Sequence, residues 1–375
     1  MPQPMNLLKL LHRLWLHINS RRRIQVGLLF IIMILASFAE VVSIGAVLPF
    51  LGVLTAPDTV FIHPIAQPLI QFLNYTEPKQ LSLPITIFFV VAALLAGAMR
   101  LLLLWAQTFL SQGIGGDFSH NIYRRTLYQP YSVHVSRNSS EIIAGVRTKA
   151  DILVQNQILP SMVIVSSIMM LIAIIAALIA IEPVMAISAF LGFGIIYGIV
   201  IKLTENTLIQ SSQRINEDSI QVIKSLQEGL GGVRDVLIDG TQDTYSEIYS
   251  RADRRLRRTI STVNIISASP RFGVESLGMV LIAVLAYYLT FSSGGILNAI
   301  PVLGALALGA QRILPVLQAF YASVSAIRSG QSSLVDALEL LDQPLPDYAD
   351  TPSSLPILFE RSITLDNLSF KYSEN

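Results

Sequence analysis

The chain has 375 residues, of which 52% are hydrophobic and only 14% charged, with a formal net charge of +1 and no cysteine. An average soluble domain carries about 25% charged residues, so soluble enzymes and nucleic-acid binders are excluded and a membrane protein is implied. The missing cysteines exclude disulfides, thiolate metal sites and cysteine nucleophiles, and the five histidines show no HxxxH or HxH spacing.

In chain order, Leu7, Leu11, Leu14 and Ile18 recur at helical spacing beside Trp15, and predict a helix along the inner membrane surface within residues 1–23. A membrane helix needs about 20 predominantly apolar residues. Six stretches qualify: Ile24–Leu54, Leu83–Gln112, Ile158–Ile181, Val184–Leu203, Phe272–Phe291 and Ile296–Val324. At 1.5 Å per residue the first would be about 45 Å long, so it must protrude or bend. Reading "RRRIQVGLLFIIMILASFA" as a cleaved signal peptide fits less well, because the apolar pattern resumes at Val41 and continues to Leu54.

Within the first stretch, "SFAEVVSIGAVLPFLGVL" at residues 37–54 holds a carboxylate and a proline. Pro49 donates no backbone hydrogen bond and would clash with the carbonyl of Gly45, which suits a kink. Gly45, Pro49 and Gly52 share a face that allows close helix approach. Glu40 lies about 25 Å along the helix from Arg23, deep in the bilayer or its outer half. There it must face a cavity, find a partner or take up a proton. Ser37, Ser43 and Ile44 are its same-face neighbours. A polar translocation cavity and a buried helix-to-helix hydrogen-bonding role both fit. The following outer loop has Ile62, Ile65, Leu69 and Leu73 near helical spacing, which fits a short amphipathic helix or an ordinary packed loop.

Other polar residues inside the apolar stretches are Arg100 in the second and Gln311, Arg312 and Gln318 in the sixth. With Glu40 they are the candidate substrate-cavity residues. Arginine matches phosphate oxygens through a rigid donor fork, so Arg312 and Arg100 suit an anionic pyrophosphate head group; the alternative is pairing with Glu40 or Glu275.

Arginine and lysine mark the cytoplasmic side. They cluster before the first span, between the second and third, and densely between the fourth and fifth, whereas the alternate connections hold only Lys79. Both termini are therefore expected in the cytoplasm. The loops at 113–157 and 204–271 lack the Pro and Gly richness of linkers and read as helical stalks. One stripe runs through Ile215, Ser219, Val222, Leu226 and Leu230, and another through Ile248, Ala252, Leu256, Thr259 and Val263. The stalks are expected to reverse near "YQPYSVHVSRNSSE" and "EGLGGVRDVLIDG", where glycines permit tight turns.

Six spans, short outer loops and two long helical inner loops make the chain resemble the transmembrane half of an ABC exporter. The resemblance implies an all-α membrane domain at 24–330, a linker at 331–356 and the start of a nucleotide-binding domain at 357–375. It places coupling helices at Tyr131–Glu141, with Tyr131, Ser132, His134 and Arg137, and at Glu228–Gly240, with Glu228, Gly231, Arg234 and Asp235. The tail "LFERSITLDNLSFKYSEN" resembles the opening strands of the ATPase domain, with Tyr372 where an aromatic stacks on adenine; alternation of Ile363, Leu365 and Leu368 with polar residues supports a strand independently. No GxxxxGK[ST] phosphate loop is present, so no catalytic motif lies in these residues, and ATP with Mg2+ would be held by an ATPase domain beyond them. The first-span motif resembles the bacterial lipid-linked oligosaccharide flippases more narrowly. The implied protein is one half of a homodimeric, ATP-driven flippase in a bacterial inner membrane. It would partner a second copy, nucleotide-binding domains, lipids and an amphiphilic substrate, and no nucleic acid. An exporter of peptide, toxin or ordinary lipid, and a non-transporting anchor or receptor, are the alternatives.

Overall fold

The computed structural model describes residues 7–55, 57–62, 67, 70, 75–136, 150–181, 183–290, 295–350 and 362–369. Among these the regular structure is entirely helical. That follows from apolar runs too long and too even for strand alternation, since a helix satisfies its own backbone groups where no water can. A short α1 (Leu7–Leu16) leads into α2 (Ser20–Gly45), α3 (Val47–Thr55) and α4 (Pro57–Ile62). Next come α5 (Ser82–Leu127), α6 (Tyr131–Ser136), α7 (Leu159–Ile181), α8 (Pro183–Gly231), α9 (Val233–Ile238), α10 (Gln242–Thr290), α11 (Gly295–Ser329) and α12 (Gln331–Leu341).

Among the described residues, three helical stretches are long and apolar enough to cross a membrane: Ser20–Thr55, Pro78–Leu127 and Ala150–Ala180. Only 17% of the most apolar window of the second is buried. Leu94, Leu101, Leu104, Trp105 and Phe109 face outward, a surface that only lipid or another protein could cover. The other three expected spans fall within α8, α10 and α11, where many side chains lie outside the described residues.

The first span bends where proline predicts. Gly45 ends α2, Ala46 interrupts the helix, and α3 resumes at Val47. Pro49 carries no N–H for the Gly45 carbonyl, while Ala46 still donates to Val42 O at 2.9 Å and accepts from Phe50 N at 3.3 Å. The expected close approach belongs to one glycine of the pair. A Cβ on Gly52 would meet Val60 at 2.9 Å, whereas one on Gly45 would meet nothing within 4 Å. Phe50 of α3 stacks on Phe89 of α5 at 4.6 Å, closing that end. Of the outer amphipathic pattern, Ile62 ends α4, and Ile65, Leu69 and Leu73 lie outside the described residues.

Helices α8 and α10 have 49 residues each, about 70 Å of rod, against about 30 Å of hydrocarbon. The excess forms two stalks that pack along one another. On α10 the half-buried or buried residues include Tyr245, Tyr249, Ala252, Leu256, Thr259, Val263 and Ile266, a stripe with alternating steps of three and four as in a coiled coil. Ile248 is 40% exposed, so the inward position belongs to Tyr249 instead. On α8 the expected stripe holds at Ile215, Ser219 and Val222, which are half-buried, and shifts toward the tip. Leu226 and Leu230 point out, and Ser225 and Gly229 point in, where Tyr245 lies 3.7 Å from the Cβ position of Gly229.

Helix α1 does not simply lie on a surface. Leu10, Leu14 and Ile18 are buried in one cluster with Leu334, Ala337, Leu338 and Leu341 of α12 and with Ile114 and Phe118 of α5. His17 Nε2 contacts Asp342 Oδ1 at 2.8 Å, and Arg13 pairs with the same carboxylate. Leu8, Trp15 and Leu16 on the opposite side remain exposed, as an interfacial helix requires. Residues 331–341, expected as linker, are therefore a docked helix with an i, i+3, i+4, i+7 apolar stripe. A second cluster joins Ile44, Ile174, Tyr197, Val274, Ile313 and Tyr321 across five helices. Residues 362–369 form no strand, and Ile363, Leu365 and Leu368 are at least 75% exposed; a lone extended segment has no ladder partner here.

Candidate functional site

Three helices deliver one charged cluster. Glu40 on α2 has no exposure at all, and α5 and α11 bring Arg100 and Arg312 against it. Arg100 Nε donates to Glu40 Oε2 at 2.9 Å and its Nη2 lies 2.6 Å from Oε1. Arg312 Nε sits 3.2 Å from Oε1. Oε1 and Arg100 Nη2 are buried yet form no aligned hydrogen bond, so that contact is ionic rather than directional. Both arginine side chains keep about a third of their surface exposed, 33% and 30%. Both pair with Glu40 rather than Glu275, which instead faces Arg271 at 3.9 Å.

One carboxylate against two guanidiniums leaves the cluster one positive charge in excess. Isolated charge in an apolar region is costly, and Glu40 offsets only half of it. Gln311 is exposed and Gln318 half-buried, and neither joins the cluster through a hydrogen bond among the described residues. Ser37 is turned back to Met33 O at 2.9 Å. Helix α11 is held beside the cluster by Tyr321, whose hydroxyl donates to Ile266 O at 3.1 Å and lies 3.3 Å from Thr204.

The second candidate region lies at the stalk tips. Gly231 ends α8, Gly232 breaks the chain, α9 follows, and Gly240 turns back at φ +65. That backbone conformation favours glycine. The short helix fills the place expected for the coupling segment, with Glu228, Gly231, Arg234 and Asp235 all exposed. Val236 is turned inward, whereas the apolar Leu230, Val233, Leu237 and Ile238 are 46–71% exposed among the described residues. Tyr131, Ser132 and His134 lie on α6, with Tyr131 68% exposed; Arg137 and Tyr372 lie outside the described residues.

Sequence reading did not single out a strap that joins these parts. At the end of α5, Arg125 donates to Gln343 O, Gln129 to Pro344 O at 3.0 Å and Arg124 to Ala349 O at 3.1 Å. Tyr128 and Tyr348 rings meet at 6.2 Å. The segment leaving α12 is thus laced to the helix that leads into α6. The one visible signal was the pair of adjacent arginines before "YQPY". A buried polar link between α5 and α7, Gln107 to Ser166 at 2.9 Å, carried no signal either.

The family model for the transmembrane region of ABC transporters matches residues 24–304. The chain belongs to that family. No curated protein matches it. The match spans every helix from α2 to the first part of α11, so Glu40 and Arg100 lie within the ABC transmembrane region and Arg312 just past the matched end. ABC transmembrane domains generally pair with nucleotide-binding domains.

Proposed function

We propose that this ABC transmembrane region is one half of a homodimeric, ATP-driven exporter that moves a lipid-linked oligosaccharide or similar amphiphile across a bacterial inner membrane. The observation that carries the reading is the Glu40–Arg100–Arg312 cluster, with one net positive charge among apolar helices. Such a site suits a phosphate or pyrophosphate head group, which would accept from the guanidinium donors that Glu40 does not use. The exposed apolar helix surfaces suit the hydrocarbon tail.

The clustering of basic residues in the inner connections supports this reading, in which the two termini and α9 would lie in the cytoplasm. There the patch of Leu230, Val233, Leu237 and Ile238 would dock on a nucleotide-binding domain together with α6. ATP and Mg2+ belong to that domain, and Tyr372 would stack on the adenine. Nucleotide binds the closed pair of ATPase domains more tightly than the open pair, and that difference in affinity shifts the stalks and the side to which the cavity opens. The Gln343–Ala349 strap on α5 would make the chain leading to the ATPase domain move with α6 as one lever.

Substrate-stimulated ATPase activity of the protein joined to its nucleotide-binding domain tests the reading. Lipid-linked oligosaccharide should stimulate, and Arg312→Gln should raise the half-maximal concentration about tenfold, as expected for one charge-assisted hydrogen bond. Stimulation by peptide but not by glycolipid would overturn the substrate assignment.

A further inference from the structure

Away from the charged cluster, α1, α2, α5 and α7 enclose an open groove of about 300 Å³. Its walls include Trp15, Phe30, Met33, Met162 and Val165, with Ser161 as a small polar exception. Phe30, Val165 and Trp15 are 48%, 41% and 39% exposed, so the groove opens sideways rather than into the bundle. Pockets of about 300–1,000 Å³ are the size that holds small ligands. Space of this kind forfeits dispersion contacts unless something apolar enters it.

The rim is basic. Arg23 stacks over Trp15, 5.8 Å from the ring centroid. Its Nε donates to Ile18 O at 3.0 Å, and its Nη2 to Trp15 O and Leu16 O at 3.2 and 3.1 Å. These bonds fix the guanidinium at the end of α1 and leave Nη1 out of the cap. Lys9 and Arg21 are exposed nearby in the sequence. The neighbouring acids are already matched, because Asp117 is bound by Arg22 at 2.9 Å and Asp342 by Arg13 and His17. Arg23, stacked on the lining residue Trp15, therefore sets a guanidinium beside an apolar slot.

We propose that this groove is a binding site for one acyl chain of an anionic phospholipid, whose phosphate is held by Arg23. The site is separate from the Glu40 cluster and does not depend on which substrate is exported. A neutral lipid would fill the slot but gain little from the rim. An anionic lipid gains both contributions, and it pins α1 to the bundle where α12 also docks.

The test uses the chain's two tryptophans, Trp15 and Trp105. Trp105 stacks on Phe109 and faces outward, so Trp105→Phe leaves Trp15 as the single reporter. The 375-residue chain is placed in phosphatidylcholine vesicles with increasing fractions of acyl-brominated phosphatidylglycerol or acyl-brominated phosphatidylcholine, and Trp15 quenching is recorded. Brominated phosphatidylglycerol should reach half-maximal quenching at a several-fold lower fraction, and Arg23→Gln should remove that preference. Because Arg23 also caps α1, Ser161→Phe is the second variant. It fills the slot, leaves the cap intact and should reduce quenching by the anionic lipid. Equal quenching by the two lipids, a preference that survives Arg23→Gln, or quenching unchanged by Ser161→Phe would each overturn the proposal. So would weak quenching by both lipids, which would mean that protein covers the groove.

Discussion

Replacing Glu40 by Gln keeps the shape of the side chain and removes the charge that two arginines share. In the wild-type cluster Glu40 makes contacts of 2.9 and 2.6 Å to Arg100 and 3.2 Å to Arg312. Removing one partner of a buried ion pair costs about 3–5 kcal/mol. The guanidiniums keep 33% and 30% exposure, so water screens part of their mutual repulsion and the lower end, about 3 kcal/mol, applies. Unfolding entropy of about 2.1 cal/mol/K per residue, over 375 residues, makes each kcal/mol worth a little over 1 °C. Glu40→Gln should therefore lower the melting temperature by about 4 °C in nanodiscs, read by tryptophan fluorescence. Arg312→Gln placed on top should recover part of that loss, because it separates two like charges that now lack a counter-ion. Arg100→Gln alone should cost more than Arg312→Gln alone, since Arg100 makes the shorter and more numerous contacts. Losses that simply add in the double variant, or a melting temperature within about 1 °C of wild type for Glu40→Gln, would refute the reasoning.

The strap gives a second expectation. Arg125→Ala removes a charged donor from the Gln343 carbonyl, an interaction worth about 1.5–3 kcal/mol, so hydrogen exchange in 343–350 should speed at least tenfold while exchange in α9 stays unchanged. A Cβ on Gly115 would clash with Val154 Cγ2, but one on Gly116 would meet nothing within 4 Å. Gly115→Ala should thus cost about 1–3 kcal/mol and Gly116→Ala far less, as compared by thermal unfolding. Outside the apolar windows, the hydrogen bond from Arg22 holds the Asp117 carboxyl below the usual carboxylate range, and burial opposes this more weakly. Its stabilising contribution is present above the ordinary carboxylate pKa of about 3.9 and is lost as pH falls through the lower, folded-state value. Asp117→Asn should flatten that acid limb in a stability-versus-pH series.

Much of the helical layout was legible because apolar length and glycine placement are local properties. The bend at Ala46 follows from Pro49 removing one donor, and the short α9 follows from Gly231, Gly232 and Gly240 bracketing six helix-compatible residues. The stalk register was less legible. Leu226 and Leu230 satisfy the periodicity by hydrophobicity, but the packing of the stalks turns Ser225 inward and leaves both leucines exposed. Pairing was not legible at all beyond a choice of candidates. Helical spacing states which face of α11 carries Arg312, and it is the packing of α11 near α2 and α5 that selects Glu40 over Glu275. The docking of α1 on α12 was hidden for the same reason: Asp342 lies 325 positions from His17, and only the fold brings them to 2.8 Å.

Residues 1–375 hold no cysteine, so a single Val233→Cys substitution places the one thiol of this chain on α9, and any cysteines of an added ATPase domain are replaced first. Treatment of sealed, oriented membrane vesicles with a membrane-impermeant maleimide asks directly whether α9 shares a side with the ATPase domain it is proposed to couple. Labelling only from the cytoplasmic face, and protection from label once nucleotide-binding domains are joined, is the expected result; labelling from the opposite face would contradict the coupling and with it the exporter mechanism.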